Sequence, residues 1–387
     1  MSWQESTIMS QRQAFVTRAL AADVPFRVLC RAFGISPTTG YKWRDRALQP
    51  APDLTDRSRR PHTSPHRTSP EVEACVLAAR ATHPAWGGRK LRRWLQDQGV
   101  TPVPAASTIT AILRRHARLT PSPRPQHAYL RFEAAAPNDL WQIDFMGQPT
   151  LTDGRTVFPL TVIDDHSRCM LAVVACPDQR RETVQAALTT LFRQVGLPHR
   201  ILTDNGPPWG TAGAGTLSAL EAWLRRLGIA VSHGRPRHPQ TQGKLERTHR
   251  TIRAEIATLH QFPDLIQAQA AFDAWRTVYN AERPHEALGD AVPASRYVPS
   301  PRPFPETLPA LRYPPGAVVR KVYAPGRISF RNQQLFVGWG LVGQQVAVRA
   351  TADAHRFTVW YGPRQVTEFI LSHPDTEVST MSPTTRP

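Results

Sequence analysis

Three acidic residues, Asp144, Asp204 and Glu246, occur where the sequence predicts that strands and a helix meet at one edge of a sheet. Asp144 lies in the strand-like run LWQIDFM, where alternation places it on the face opposite to Ile143. Asp204 follows the apolar end of ILTDNG, so pairing of the first and fourth predicted strands would make the two carboxylates neighbours. Glu246 lies beside an apolar helical stripe that must face the sheet.

Three converging carboxylates would repel one another and raise their pKa values unless a cation lay between them. Magnesium meets this demand because Mg²⁺ prefers oxygen ligands and keeps several waters. Two such ions roughly 3.5 to 4 Å apart could activate an attacking oxygen and stabilise a leaving one in an in-line displacement. We therefore predict two Mg²⁺ ions, or Mn²⁺ in their place, held by Asp144, Asp204 and Glu246.

Glu246 stands among basic residues in the segment HPQTQGKLERTHR. Its neighbours on the helix surface are Arg250 and Arg253, at i+4 and i+7. Together with Lys244 and Arg247 they are predicted to hold DNA phosphates while the carboxylate binds metal. The apolar stripe of the same helix consists of Leu245, Ile252, Ile256 and Leu259.

Each acidic residue also has a structural explanation. Asp204 before Asn-Gly could be a turn former, Asp144 an edge-strand charge, and Glu246 the ion-pair partner of a neighbouring arginine. Asp164 and Asp165 in IDDHSR compete as metal ligands, but we place them in a hairpin turn. The order of elements favours the three-carboxylate site, because all three acids fall where the fold joins its sheet edge to its last core helix.

That order is three strands followed by alternating helices and strands. It predicts a mixed sheet, antiparallel at first and then parallel, with helices on its faces, which is the ribonuclease-H-like α/β order. The predicted segments are a helix-turn-helix domain (1–48), a linker (49–69), a second helical DNA-binding domain (70–118), a linker (119–138), the ribonuclease-H-like catalytic core with its C-terminal helix (139–297), a linker (298–315), a small β-barrel (316–370) and a disordered tail (371–387).

Two helical segments are candidates for DNA recognition. In FRVLCRAFGISPTTGYKWRDRAL, Gly34 supplies a turn, Ser36 can cap the next helix and Pro37 suits its first position. Lys42 and Arg44 on that helix are candidate DNA contacts, whereas the alternative is a helical pair that serves only packing.

In the second helical segment, Ser69 is expected to cap one helix and Ser107 another, and RKLRRWLQDQG is expected to end at Gly99. Arg92 and Arg114 are its candidate DNA contacts.

The composition favours a nucleic-acid partner, because the formal net charge is +18. The longest apolar run is far short of the ~20 residues that span a bilayer, and the first residues lack the basic start and apolar centre of a signal peptide. Four cysteines without a CxxC pair indicate neither a disulfide framework nor a zinc site. We expect a cytoplasmic, nucleoid-associated bacterial protein with no membrane partner and no small-molecule substrate.

Residues 130–297 resemble the catalytic core of DDE transposases of bacterial insertion sequences, which are relatives of retroviral integrases. The matching segments are RFEAAAPNDLWQIDF, IDDHSR, ILTDNG, HPQTQGKLER and YNAERPHEALGDAVPASRY. The resemblance implies that Asp144 bridges two metal ions while Asp204 and Glu246 each hold one. Arg253 matches the basic residue seven positions after the family's glutamate.

The chain departs from the family in two ways. The separation between Asp204 and Glu246 is longer than is typical, and the extra length lies in PPWGTAGAG, a loop that could close over DNA. The two-His, two-Cys zinc site of retroviral integrases is absent from the N-terminal sequence, so helices should carry recognition.

The resemblance implies a magnesium-dependent transposase that cleaves DNA at the element's end and lets the freed 3′ hydroxyl attack target DNA. Its partners would be terminal inverted repeats and target DNA, with at least a homodimer on the DNA. Two alternatives stay open. One is a catalytically inert DNA-binding regulator or domesticated transposase, and the other is a structure-selective nuclease of the ribonuclease-H type, which cleaves without joining.

Overall fold

The computed structural model describes residues 7–57, 67–119, 132–210, 216–234, 243–256 and 261–371. The predicted tail beyond residue 371, much of both early linkers, and residues 238–242 of the segment around Glu246 lie outside these ranges. The chain divides into two compact units, Met1–Arg67 and Thr68–Pro387, and each is described by itself. None of the helices in the described ranges has the length and apolar character needed to cross a bilayer.

The first unit is a three-helix domain whose second and third helices form the predicted helix-turn-helix. Gly34 lies in the turn with a φ of +65°, a backbone conformation that glycine adopts without strain. Ser36 caps the next helix, since its hydroxyl accepts the Thr39 N–H at 3.1 Å, and Pro37 is the first helical residue. The helices are α1 (Ile8–Ala21), α2 (Phe26–Ala32) and α3 (Pro37–Ala47).

The second unit begins with a helical bundle in the predicted second helical segment. Its helices are α4 (Pro70–Thr82), α5 (Gly88–Asp97) and α6 (Ala106–Arg115). At Gly88, α5 approaches α6 so closely that a Cβ would collide with the Ala106 carbonyl. Ser69 takes the N-cap position as expected, but Ser107 does not, because α6 already begins at Ala106. The prediction for Ser107 was therefore wrong by two residues, an ordinary error where a helix start has no side-chain cap.

A five-stranded mixed sheet forms the centre of this unit, in the order β3-β2-β1-β4-β5. Its strands are β1 (Trp141–Phe145), β2 (Phe158–Asp164), β3 (Met170–Cys176), β4 (Arg200–Thr203) and β5 (Ala230–His233). The first three strands pair antiparallel, whereas β1–β4 and β4–β5 pair parallel. The predicted mixed sheet is confirmed.

Two apolar clusters lie on opposite faces of the sheet. Trp141 and Ile143 of β1 join the cluster that includes α7 and α8, whereas Met146, just after β1, joins the cluster that includes α9 and α10. The alternation predicted for LWQIDFM is therefore confirmed. The helices are α7 (Arg181–Val195), α8 (Ala219–Arg226), α9 (Gly243–Glu255) and α10 (Leu265–Ala281).

Residues 298–315, predicted as a linker, run against the core. The Ser300 N–H donates to the Val195 carbonyl and the Leu197 N–H to the Arg302 carbonyl, both at 2.8 Å. Phe304 stacks on Phe192 with ring centroids 6.3 Å apart. The segment thus packs against the part of the chain that contains the central sheet.

The C-terminal strands do not confirm the predicted barrel. In the described residues they form an open antiparallel sheet in the order β11-β10-β9-β6 and a separate β7-β8 hairpin. Leu217, just before α8, and Ala222, on α8, complete their apolar core. The helix covers apolar surface that a closed barrel would bury within itself. The strands are β6 (Val318–Lys321), β7 (Arg327–Phe330), β8 (Gln333–Phe336), β9 (Gln345–Ala350), β10 (Arg356–Tyr361) and β11 (Arg364–Ile370).

Candidate active site

The parallel register of β1 and β4 places Asp144 and Asp204 at the same height in the sheet. Gln142 pairs with Leu202, and each acidic residue lies two positions further along its strand direction. Adjacent strands lie about 4.8 Å apart. Residues two apart point to the same face, so both carboxylates lie on the side of Met146, which packs with α9.

Asp144 is a half-buried carboxyl group in a negative environment. Its Oδ1 accepts the Phe145 N–H at 2.8 Å. Burial raises its pKa to about 6, and the negative charges of Asp204 and Glu246 add to that rise. Both other acids are therefore near enough to act on Asp144 electrostatically. Burial also raises the pKa of Asp204, against the lowering effects of the Gly206 N–H and of His233.

The first part of the glycine-rich loop after Asp204 is anchored. Trp209 is 2% exposed, its ring lies 6.4 Å from that of Phe145, and its carbonyl accepts the Ser218 hydroxyl at 2.8 Å. The Trp209 indole is buried against the core of the sheet, and closure of the loop over DNA stays a prediction. Residues 211–215 of the loop lie outside the described residues.

A buried hydrogen-bonded chain connects α9 to the strand that carries Asp144. The Thr161 hydroxyl donates to the Asp144 carbonyl at 2.8 Å and lies 2.8 Å from Nε2 of His249. Since that hydroxyl donates its single hydrogen to the carbonyl, Nε2 must donate to it. Burial, with a further contribution from Arg253, lowers the pKa of His249 to about 4, so the ring is neutral at pH 7. These two hydrogen bonds fix the distance between β1 and α9, the helix that carries Glu246.

Glu246 lies on the exposed side of α9, whose apolar stripe is buried against the sheet as predicted. Arg250 and Arg253 are exposed on the same helix. A Cβ at Gly147 would lie 3.1 Å from Nη2 of Arg253, so this guanidinium reaches over the end of β1. No ion pair joins Glu246 to Arg250 within the described ranges. Leu259, the last predicted member of the stripe, lies outside those ranges.

The donor set of the site matches the preference of Mg²⁺ for carboxylate oxygen. The pKa of Asp144 is raised mainly by burial and further by the negative charges of Asp204 and Glu246, and a divalent cation bound there would oppose both effects. As the side chains stand, no three His, Cys, Asp or Glu residues in the described part of the chain are grouped closely enough to hold a metal ion.

Asp164 is the last residue of β2, and Asp165 follows it in the turn before β3, where the hairpin prediction placed it. Asp164 accepts the backbone N–H groups of Ser167 and Asn138 at 2.7 and 2.8 Å. Asp165 is fully buried and accepts the Ala134 N–H at 2.7 Å. The Asp164 carboxylate therefore stabilises the turn, whereas that of Asp165 connects the turn to the segment before β1.

Lys244 differs from the other basic residues of α9. Its ammonium forms an ion pair with the buried carboxylate of Asp165, and its side chain is only 20% exposed. Arg247 and Arg250 are exposed instead. The ion pair engages Lys244 inside the protein, so the DNA contact predicted for it would need that pair to open.

The basic residues predicted to contact DNA in the helical domains lie on the surface. Lys42 is exposed on α3, and Arg92 and Arg114 are exposed on α5 and α6. Arg44, also on α3, is half-buried and bonded to Asp45 at 3.2 Å. These four contacts stay predictions.

Thr161 and His249 were missed by the sequence interpretation, although His249 could have been found. It lies four residues after Leu245 and three before Ile252, within the apolar stripe. A polar residue at a buried helical position must have a hydrogen-bond partner. The sequence did not predict the partner of His249, because Thr161 is 88 residues away.

Two protein-family models named "Integrase core domain" match this part of the chain, one over residues 134–239 and the other over residues 227–293. Residues 134–293 thus match models of an integrase core domain, and we refer to this region as the integrase core. The integrase core is preceded by matches to a helix-turn-helix domain at residues 11–62 and to a homeodomain-like domain at residues 39–113.

Proteins of bacterial insertion elements are similar to the integrase core. An uncharacterized 31.7 kDa protein of insertion element IS407 from Burkholderia multivorans is 33% identical over 159 residues, which is 41% of this chain and 55% of that protein. An uncharacterized 39.2 kDa protein of insertion element IS476 from Xanthomonas euvesicatoria is 30% identical over 42% of this chain and 44% of its own length. This chain thus spans about half the length of the curated relatives that it matches.

Retroviral proteins also match. The Gag-Pro-Pol polyprotein of mouse mammary tumor virus is 27% identical over 32% of this chain and 7% of the polyprotein. Among solved structures, the HTLV-2 integrase catalytic core domain in complex with magnesium matches with a TM-score of 0.33 and 18% identity, over 42% of this chain and 99% of that one. A simian T-cell lymphotropic virus intasome matches with a TM-score of 0.37 and 16% identity, over 78% of this chain and 99% of that one.

Proposed function

We propose that this protein is a transposase that joins the ends of a mobile DNA element to target DNA, as a DDE polynucleotidyl transferase. The integrase core and the similarity to insertion-element proteins support this class of function. The observation that carries the proposal is the register of β1 and β4, which sets Asp144 beside Asp204 while α9 brings Glu246 to the same face.

Asp144, Asp204 and Glu246 would hold two Mg²⁺ ions, or Mn²⁺ in their place. The metal, when bound, supplies Lewis-acid stabilisation of the attacking and leaving oxygens. Asp144 fits the bridging position because it feels the charges of both other acids. Arg250 and Arg253 lie on the exposed side of α9, where they would bind the phosphates of the DNA strand.

The two helical domains would recognise the terminal inverted repeats and the core would engage target DNA, in the bacterial cytoplasm. Since two element ends must meet during joining, the active complex would contain at least two copies of the chain. The exposed basic residues Lys42, Arg92 and Arg114 are candidate contacts for the recognition step.

The test is strand transfer by the full chain with Mg²⁺, on labelled DNA taken from the flanks of the gene. We expect wild type to give joined products and Glu246→Gln to lower their rate at least about 100-fold, because a ligand to the metal contributes several kcal/mol in the transition state. Glu182→Gln is the matched control, since Glu182 is an exposed glutamate on α7 that pairs only with Arg181 within the described residues. It should retain wild-type rates.

The two alternatives predict other outcomes. Wild type that binds the end DNA but yields no product with Mg²⁺ or Mn²⁺ would indicate a DNA-binding regulator and overturn the enzymatic proposal. Cleavage sensitive to Glu246→Gln, but without joined products, would indicate a nuclease.

A further inference from the structure

A buried glutamate connects three elements around Asp204. Glu221, in the first turn of α8, is 3% exposed, and its Oε1 accepts Arg225 Nε at 2.9 Å and also the guanidinium of Arg364. Its Oε2 lies 3.5 Å from Nε2 of His233. Burial raises the pKa of Glu221, but the hydrogen bond to His233 and the two arginine charges outweigh it, so the group stays ionised.

His233 connects Glu221 to Asp204, which is proposed to bind metal. It lies on β5 opposite Thr203, and its Nδ1 is 2.8 Å from the Asp204 carbonyl oxygen. Because a carbonyl only accepts, Nδ1 carries the hydrogen. The imidazole thus holds the peptide group that follows the last paired residue of β4.

Asp204 depends on such support. β4 ends at Thr203, so Asp204 has left the regular pairing of the sheet. Within the described residues its backbone carbonyl accepts from His233 Nδ1 at 2.8 Å and from the hydroxyl of its neighbour Thr203 at 3.0 Å, and its carboxylate accepts only the Gly206 N–H, at 3.3 Å. A carboxylate at the end of a strand keeps its direction only if its own peptide group is fixed.

Arg364 belongs to the C-terminal strands, which dock on α8. Tyr361, on the neighbouring strand β10, donates its hydroxyl to the Ala222 carbonyl at 3.2 Å. Gly340 approaches the Leu217 carbonyl so closely that no side chain would fit. The position of Arg364 beside Glu221 is therefore set by the folding and docking of the C-terminal domain.

We propose that Arg364 is a positioning residue for Asp204, acting through Glu221 and His233, so that the C-terminal domain completes the metal site of the integrase core. Without Arg364, one of the two arginines on Glu221 is lost, and the carboxylate can turn toward Arg225 and away from His233. His233 then holds the Asp204 peptide less firmly. The catalytic part of this inference rests on the proposed function, whereas the structural part does not.

The structural part is tested by amide hydrogen exchange on the full chain without metal. Arg364→Met should speed exchange in peptides covering residues 203–206 by roughly tenfold, with exchange in α10 unchanged. Arg356→Met is the matched control, because Arg356 lies on β10 of the same domain and pairs with Glu368 at 3.1 Å. Arg364→Lys should restore most of the protection, since an ammonium can still pair with Glu221.

The catalytic part is tested by the magnesium dependence of strand transfer and by the thermal shift that Mg²⁺ produces. We expect Arg364→Met to raise the half-saturating Mg²⁺ concentration about fivefold to tenfold in both measurements, with the rate at saturating Mg²⁺ within about twofold of wild type. A merely structural role would lower the melting temperature and leave the half-saturating concentration unchanged.

Three results would overturn the inference: unchanged exchange at residues 203–206, equal effects of Arg356→Met, or an unchanged Mg²⁺ requirement in the thermal shift. If wild type gives no joined products, the proposed function fails. In that case the exchange and thermal-shift results still decide the positioning role of Arg364.

Discussion

At the scale of the residue, the ionised Asp144 carboxylate destabilises the folded protein when no cation is bound. Its carboxyl group is half-buried and close to two other acids, with one N–H donor from Phe145. An ionised group in such a place destabilises the folded chain unless a cation joins it. Stability and activity should therefore respond in opposite directions when this charge is removed.

The first prediction concerns Asp144→Asn. The pKa of Asp144 is raised from 3.8 to about 6 in the fold, so the native state binds the proton more tightly and metal-free stability falls as pH rises from about 4 through 6. The variant should melt a few degrees higher than wild type in chelator at pH 7.5, and this gain should shrink at pH 4.5. Strand transfer should be lost.

Thermal unfolding at the two pH values measures this effect. Asp97→Asn serves as the control, because Asp97 forms an exposed ion pair with Arg93. An equal gain in melting temperature at both pH values would show that the Asp144 charge is not the cause of the stabilisation.

The second prediction concerns Thr161→Val, which removes the hydroxyl between His249 and the Asp144 carbonyl. Two buried groups lose their partner, so the free energy of unfolding should fall by about 1 to 3 kcal/mol. Urea unfolding measures the loss. Thr161→Ser keeps the hydroxyl and loses only the methyl group, so it should cost clearly less. An unchanged free energy of unfolding in Thr161→Val would show that these hydrogen bonds do not stabilise the fold.

At the scale of the element, α9 joins the central sheet to the helical bundle α4–α6. Glu255, its last residue, accepts the indole N–H of Trp86 at 3.2 Å, that of Trp275 at 2.9 Å and Nε of Arg283 at 2.9 Å. Trp86 belongs to the core of the bundle, and Trp275 and Arg283 belong to α10 and the residues after it. One carboxylate thus fixes the bundle to the helix that carries Glu246.

The third prediction concerns Glu255→Ala. It leaves the guanidinium of Arg283, whose side chain is 9% exposed, without its ion pair. Loss of one partner of a buried pair costs about 3 to 5 kcal/mol. Urea unfolding should show a loss of this size, and Glu282→Ala, which removes a half-exposed carboxylate 3.8 Å from His83, should lose less than about 1 kcal/mol. Similar losses in both variants would contradict the role of Glu255 in fixing the bundle to α9.

At the scale of the whole molecule, the net charge of +18 sets the attraction for DNA, but only exposed and unengaged cations contribute to it. α9 contains both kinds. Arg250 is exposed, whereas Lys244 forms an ion pair with buried Asp165. The two residues lie six positions apart on one helix and should affect DNA binding differently.

The fourth prediction compares Arg250→Gln with Lys244→Gln in DNA affinity measured against salt concentration. Each phosphate contact contributes about 0.9 to the slope of log affinity against log salt. Arg250→Gln should reduce the slope by roughly that amount. Lys244→Gln should leave the slope unchanged and lower stability, because Asp165 loses its counter-charge. A reduced slope for Lys244→Gln would mean that the ion pair opens on DNA.

The sequence by itself determined the parts of this protein that depend on local periodicity and turn chemistry. Gly34, Ser36 and Pro37 indicated the helix-turn-helix because backbone conformation and capping are decided within a few residues. Alternation along LWQIDFM assigned Asp144 to its face, and the order of strands and helices predicted the parallel pairing with Asp204.

Only the tertiary structure decided which distant groups meet. The pairing of Lys244 with Asp165, the contact of His249 with Thr161 and the docking of Arg364 on Glu221 join residues 79 to 143 positions apart. The open C-terminal sheet also depends on a distant contact, because its apolar core includes Ala222 of α8. The pattern of short alternating strands did not predict that contact. Periodicity specifies the face that a residue occupies, whereas its partner depends on how whole elements pack.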